Sequence, residues 1–239
     1  MDKNAGYFHD VKVSCMIMET LTKAIMTAGW QERILTEAQL ARLIEGSAQR
    51  RYNLVNRALR SGGLLRLRRG CYRLAPALSG GLPHPFAIAQ ALRPGSYISL
   101  ESALSFHGWI PEAVPSTLSI LPGRRRDQVL VPDMGAFLFW PLALHRGYFL
   151  EAVARVVLAG QATLIAQPLR ALLDRFCLHK QDWPGLTGLI EGLRIEPEKI
   201  LALRPDELET LRPLYRHGRM KGVIDAMQQE LDSIRGETA

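Results

Sequence analysis

SAQRRYNLVNRALRSGGLLRLRRGCYRL, residues 47–74, holds eight arginines and no acidic residue. Its first half has the helical period. At about 100° per residue, Ala48, Tyr52, Val55, Ala58 and Leu59 make one apolar arc over 48–61. Gln49, Arg50, Asn53, Asn56, Arg57 and Arg60 fill the opposite side. Ser47 stands as the N-cap and Gly62-Gly63 as the stop. The polar set has the chemistry that reads duplex DNA. An Arg fork matches guanine O6 and N7, and Asn or Gln matches adenine N6 and N7. The second half has the strand period. L-L-R-L-R, a turn at Arg69-Gly70 and C-Y-R-L predict a two-stranded hairpin. Alternation puts Leu65 and Leu67 on one face and Arg66 and Arg68 on the other.

Upstream, residues 16–29 read as a helix ending at Gly29, with Met18, Leu21, Ile25 and Met26 on one face. Residues 33–35 read as a short strand. T-E-A-Q at 36–39 is a capping box, and the helix it opens carries Leu40, Leu43 and Ile44 and stops at Gly46. The order of helix, strand, helix, short turn, helix and hairpin predicts a winged helix-turn-helix. In that arrangement the wing arginines, Arg66, Arg68 and Arg69, reach phosphates or the minor groove beside the recognition helix. Arginines also protect exposed sheet edges, but the adjacent Arg/Asn/Gln helix face favours DNA contact.

Charge placement agrees. The chain has 239 residues and a net charge of +7. Residues 1–82 hold 13 Lys/Arg against 6 Asp/Glu, and residues 83–239 hold 17 of each. The whole excess therefore sits in the first third, the footprint of a polyanion partner. No apolar run approaches the roughly 20 residues of a membrane span, and the N-terminus has no apolar run of secretory-signal length. Cys15, Cys71 and Cys177 are far apart with no CxxC pair, which predicts free thiols in a reducing compartment. A cytoplasmic protein with no membrane partner and no cofactor is expected.

The expected organisation has four parts. Residues 1–15 are read as disordered, with Met16 and Met18 as alternative starts; 16–75 form the winged helix-turn-helix. PALSGGLPHP (76–85) is a linker, and 86–239 form a mixed α+β domain with a helical C-terminal part. Within that domain Ser99 is expected to cap the LESALSFHG helix. Strands are expected at 116–121, 128–131 and 136–140, with Leu142–Leu144 extending them. EAVARVVLAG (151–160) is read as helical, ATLIA (162–166) as a strand and QPLRALLDRFCLH (167–179) as a helix, with helices from Trp183 to about Ile234.

Three phrases carry a resemblance. They are G-L-L-R-L-R-R-G-C-Y (63–72), P-G-S-Y-I-S-L-E-S-A-L-S-F-H-G-W-I (94–110) and A-T-L-I-A-Q-P-L-R-A-L-L-D (162–174). Together, over about residues 33–178, the chain resembles the AbiEi family of type IV antitoxins, the transcriptional-regulator partners of abortive-infection toxins. The 94–110 phrase is the most specific, because many regulators share a winged helix. The family often has an acidic residue near the start of the third phrase. This chain has Gln167-Pro168, so no family role is carried to that position. The resemblance implies an autorepressor that binds promoter repeats of a two-gene operon and, through its C-terminal domain, acts as antitoxin to a nucleotidyltransferase encoded nearby. It places the DNA contacts at Arg50, Asn53 and Arg57, with Arg66, Arg68 and Arg69 on the wing. Oligomerisation on the DNA fits the same reading.

Residues that invite catalysis do not assemble into a site by spacing. Glu101 and His107 are six apart, on different helix faces; His107 before Gly108 suits a helix C-terminus, Ser99 a cap and Ser102 a core contact. Cys177 and His179 are two metal ligands where four are the norm. Asp206 and Glu209 share a helical face, but no Gly-Ser turn precedes them and no D-x-D, P-loop, GxGxxG or HExxH is present. We read the chain as not an enzyme. The loop Arg124-Arg125-Arg126 suits RNA, a toxin or flanking DNA, and equally a solvated loop. Two alternatives stand beside the repressor reading. One is an antitoxin that neutralises its toxin by direct contact; the other is an RNA-binding accessory protein.

Overall fold

The computed structural model describes residues 20–238. The expectations for 1–15, for Met16 and Met18, and for the start of the first helix lie outside the described residues. The chain divides into two compact units, one up to Gly81 and one from Leu82. Among the described residues it is a mixed α+β protein with ten helices and two sheets.

The first unit contains α1 (Thr20–Thr27), β1 (Leu35–Thr36), α2 (Glu37–Leu43), α3 (Ala48–Arg60), β2 (Leu64–Arg68) and β3 (Cys71–Leu74). Local chemistry sets its turns. The Thr36 amide donates to Gln39 Oε1 at 2.8 Å and the Gln39 amide donates to Thr36 Oγ1 at 3.3 Å, which is the reciprocal capping box. Ser47 Oγ accepts from the Arg50 amide at 3.2 Å and starts α3. Thr36→Ala should cost about 1 kcal/mol, read as a lower urea midpoint. The three strands pair antiparallel in the order β1-β3-β2. Leu21, Ile25, Leu35, Leu40, Ile44, Val55, Ala58, Leu64, Tyr72 and Leu74 form the core.

Several expectations change here. The first strand lies at 35–36, not 33–35. Val55 and Ala58 are buried, with Leu54 and Leu59 packed against the core, whereas Ala48 is exposed and Tyr52 is 64% exposed. A helical wheel gives the face but not where along the axis the neighbours end. Here the buried positions of α3 are Val55 and Ala58, while Ala48 and Tyr52 on the same arc are exposed. In the hairpin, Arg66 pairs with Tyr72 and Arg68 with Cys71, so Leu67 is an extra residue. A one-residue shift turns each later side chain of the strand to the other face. Leu67 is therefore buried while Leu65 stays exposed, and the two leucines do not share a face. Arg73, on the wholly buried β3, is withdrawn from the surface at 3% exposure.

The second unit begins with α4 (Pro85–Leu92), β4 (Tyr97–Ile98) and α5 (Leu100–Phe106). Next along the chain come β5 (Thr117–Leu121), β6 (Asp127–Val131), β7 (Gly135–Pro141), β8 (Val153–Leu158) and β9 (Gln161–Ala166). Five helices complete it: α6 (Pro168–His179), α7 (Gly185–Leu193), α8 (Pro197–Leu201), α9 (Pro205–Leu211) and α10 (Gly218–Thr238). The sheet order is β6-β7-β5-β4-β9-β8, with β5/β7 and β4/β9 parallel and the other pairs antiparallel. The stretch 151–160, read as helical, contains strand β8, paired with β9 from Val153↔Ala166 to Leu158↔Gln161. Its run V-A-R-V-V-L is rich in β-branched residues, which suit a pleated surface. Arg155 and Val157 alternate outward on this edge strand. β7 ends at Pro141, and beyond it only Leu144 forms a bridge, to Tyr215. No helix among the described residues is long and apolar enough to cross a membrane.

A buried polar network holds this unit together. Asp174 Oδ1 accepts from Arg170 Nε (2.8 Å) and Tyr215 OH (2.8 Å), and Oδ2 from Tyr97 OH (2.9 Å) and Ser99 Oγ (2.7 Å). Arg170 also donates to the Glu151 carbonyl (2.6 Å) and to Tyr97 OH (2.5 Å). Ser99 precedes α5 but makes no side-chain cap bond, because its hydroxyl serves Asp174 instead. Burial, reinforced by the Asp174 charge, pushes both tyrosine hydroxyls well above their ordinary range.

Candidate nucleic-acid interface

The outer face of α3 carries Gln49, Arg50, Asn53, Arg57 and Arg60 exposed and Asn56 half-buried. Gln49 Nε2 donates to Asn53 Oδ1 at 3.0 Å, one turn apart. This leaves the Gln49 carbonyl oxygen as an acceptor and the Asn53 amide group as a donor for a base edge. Arg50 turns back over the preceding turn, with Nη1 donating to the Glu45 carbonyl at 3.2 Å. Gly46 makes room for it. Its φ is +105°, and a Cβ there would lie 3.2 Å from Arg50 Cδ. Arg51, to which sequence reasoning gave no role, donates to the Gly46 carbonyl at 2.7 Å.

On the hairpin, Arg66 is exposed and lies 5.9 Å above the Tyr72 ring, a cation–π arrangement. Arg69 is exposed at the turn, where Gly70 takes φ +75°. The bulge at Leu67 leaves Arg68 half-buried beside Cys71. Burial pushes the Cys71 thiol up to about 11, against the pull of the Arg68 guanidinium. Arg66 and Arg69 are thus the two outward cations of the hairpin, and Arg68 is partly engaged.

Between α3 and the hairpin lies a cleft of about 380 Å³, lined among others by Gln49, Tyr52, Asn56, Arg66, Tyr72 and Glu37. Tyr52 belongs to this outer surface, not to the core. Its local neighbours are mixed, Gln49 and Asn56 polar at i−3 and i+4 and Ala48 and Val55 apolar at i−4 and i+3, so the helical pattern alone does not choose its side. Tyr52→Ala should therefore change stability by no more than about 0.5 kcal/mol, the scale of a surface substitution. A larger loss in urea denaturation would return Tyr52 to the core.

The other singled-out residues are separated. Arg124 and Arg125 are exposed in the β5–β6 loop of the second unit, and Arg126 lies 5.9 Å over the Trp140 ring. Glu101 pairs with Arg175 at 2.8 Å. His107 Nε2 donates to the Ala166 carbonyl at 2.9 Å, and Ser102 Oγ bridges the Ser116 carbonyl and the Leu118 amide. Cys177 is buried, its thiol pushed up to about 12 by burial, while His179 is exposed. Asp206 pairs with Arg204 and Glu209 with Arg212 at the surface. Among the described residues no three His, Cys, Asp or Glu side chains converge as a metal site.

Two histidines of the second unit, His84 and His107, have lowered pKa values. Burial lowers the pKa of His107 and of His84, whose Nδ1 accepts from the Phe86 amide at the start of α4. With the folded value below the unfolded one, the unfolded chain binds more protons, so this stability is present above about pH 6.5 and is lost as pH falls. Thermal melts from pH 7.5 to 5 should show a falling midpoint. His84→Asn, a cap that does not titrate, should flatten the dependence; an unchanged pH profile in that variant would contradict the role.

The fold and the charged surface define a class: a two-unit α+β protein whose basic first unit ends in an arginine-bearing hairpin. Its architecture is similar to the crystal structure of the RV2827C protein from Mycobacterium tuberculosis. The TM-score is 0.53 at 15% identity, over 89% of this chain and 75% of that one. This likeness concerns the fold alone. No family model and no curated protein matches the chain.

Proposed function

We propose that the chain is a DNA-binding transcriptional regulator whose first unit works as a winged helix-turn-helix. α3 enters the major groove, and the β2–β3 hairpin is the wing. The observation that carries this reading is the outer face of α3. It combines Gln49, Asn53, Asn56 and Arg57, all base-reading types, with Arg50 and Arg60, inside a unit that holds all of the chain's excess charge. Tyr52 extends the face with an apolar surface of the kind that contacts a thymine methyl. Arg66 and Arg69, with Arg68 behind them, serve the phosphate backbone.

The partner is the DNA upstream of the chain's own gene, and the wider role is that of autorepressor and antitoxin beside a nucleotidyltransferase toxin. Support for this extension is the resemblance at 94–110 and 162–174. Those phrases supply Tyr97, Ser99, Arg170 and Asp174, the buried network of the second unit, so they speak for a common architecture there.

The test is a salt-titrated binding assay comparing that upstream DNA with a scrambled duplex of equal length. A preference of about a thousandfold with a steep salt dependence is expected. Equal weak binding to both would overturn sequence-specific regulation and move direct toxin contact to the front. Within the same assay, Arg69→Ala should weaken binding to both duplexes alike and reduce the salt slope by about one.

A further inference from the structure

The second unit is electrically balanced, with 17 basic and 17 acidic residues over 83–239, and most of its arginines face a carboxylate. Arg93 pairs with Asp127, Arg175 with Glu101, Arg194 with Glu112, Arg204 with Asp206, Arg212 with Glu209 and Asp225, and Arg235 with Asp232. Three that do not, among the described residues, come together at one cleft of about 620 Å³. Arg124, Arg146 and Arg216 line it with His145 and His217, and no Asp or Glu is part of the lining. Its remaining wall is apolar, including Pro141, Leu142 and Phe149.

The fold builds this cleft from three separate stretches of chain. Leu121 pairs with Pro141 in the parallel β5–β7 ladder, so the loop bearing Arg124 and the segment after β7 leave the sheet side by side. The His145 amide donates to the Leu214 carbonyl at 2.8 Å, and the Arg216 amide to the Ala143 carbonyl at 2.9 Å. These bonds flank the Leu144↔Tyr215 bridge and lock the two segments together. Tyr215 is in turn held by Asp174. The 21-residue α10 starts immediately after His217, and a helix N-terminus adds partial positive charge and free amides.

A cleft at the start of α6, of about 390 Å³, shows the contrast. Its cations Arg170, Lys199 and Arg204 are matched by Asp174, Glu196 and Asp206. In the larger cleft no carboxylate of the lining offsets the cations, and like charges held together disfavour each other until an anion arrives. Arg forks suit phosphate oxygens, and an apolar wall suits a base or sugar. The concave shape suits a small ligand that enters it.

We propose that this cleft binds a nucleoside polyphosphate, with Arg124, Arg146 and Arg216 on the phosphates and the Pro141–Leu142–Phe149 wall against the nucleoside. The assignment is independent of the DNA-binding reading of the first unit. Calorimetric titration of the full chain with ATP and with GTP tests it, using adenosine and inorganic tripolyphosphate as part-ligands. Saturable binding of at least one nucleotide below about 1 mM is expected, together with a rise in melting temperature. Adenosine should bind at least about tenfold more weakly, and tripolyphosphate should compete. Arg146→Glu with Arg216→Glu should lower nucleotide affinity by about tenfold or more and leave binding to the upstream duplex unchanged. Arg216→Gln, a milder change, should give a smaller loss in the same direction. The proposal is overturned if neither nucleotide binds, if the double variant binds nucleotide normally, or if its loss falls on duplex DNA instead.

Discussion

Asp174→Ala should destabilise the second unit by about 3–5 kcal/mol, the range for removing one partner of a buried ion pair. The aspartate and Arg170 are both fully buried. Four donors converge on the two carboxylate oxygens, from Arg170, Tyr215, Tyr97 and Ser99. Alanine would leave a guanidinium in the interior without its counter-charge and three hydroxyls without their acceptor, each of which carries a desolvation cost. Four elements would feel it: β4 through Tyr97, the start of α5 through Ser99, α6 through Arg170, and the segment before α10 through Tyr215. Asp174→Asn keeps the shape and one acceptor oxygen, so it should fall between wild type and alanine. Urea denaturation followed by tryptophan fluorescence would report this, since Trp109, Trp140 and Trp183 all lie in the second unit. A loss below about 1 kcal/mol for the alanine variant would mean that water or a rearranged neighbour replaces the carboxylate. Because Tyr215 also anchors the segment carrying Arg216, the same substitution should weaken the nucleotide cleft.

The second large effect is expected on recognition. Arg57→Ala should lower affinity for the upstream DNA by about 5- to 150-fold, corresponding to the 1–3 kcal/mol of a bidentate base contact, with a much smaller loss on scrambled DNA. Arg57 is exposed on the outer face of α3, one turn beyond Asn53. Its removal uncovers no core, so the folded state should be little affected. Arg69→Ala is the matched control, because a phosphate contact carries no base preference. Equal losses on both duplexes from both substitutions would show that the helix and the hairpin do not divide the work between base and backbone.

Local patterns were legible wherever a few neighbouring residues carry the information. Thr36 and Gln39 cap each other because both partners lie within one turn. Ser47 starts α3 for the same reason. The outward placement of Gln49, Asn53, Arg57 and Arg60 follows from the helical period alone. Local pattern is not enough where the deciding partner is distant. Tyr52 shares the wheel arc of the core residues Val55 and Ala58, yet it is exposed and lines the cleft between α3 and the hairpin. The facing of Leu67 depends on how β2 registers against β3, and one extra residue reverses it. Residues 151–160 are a short, mostly apolar run that periodicity alone does not assign to helix or strand, and the pairing with β9 makes 153–158 a strand.

From the sequence by itself came the mixed α+β class, the concentration of charge in the first third and the polar face of α3, because charge counts and side-chain periods are properties of the chain before it folds. Tertiary structure alone decided that Ser99 and Asp174 meet 75 positions apart, that Arg73 is hidden while Tyr52 is not, and that Arg124, Arg146 and Arg216 share one cleft. Burial and convergence depend on which distant segments pack together, and no local period encodes that.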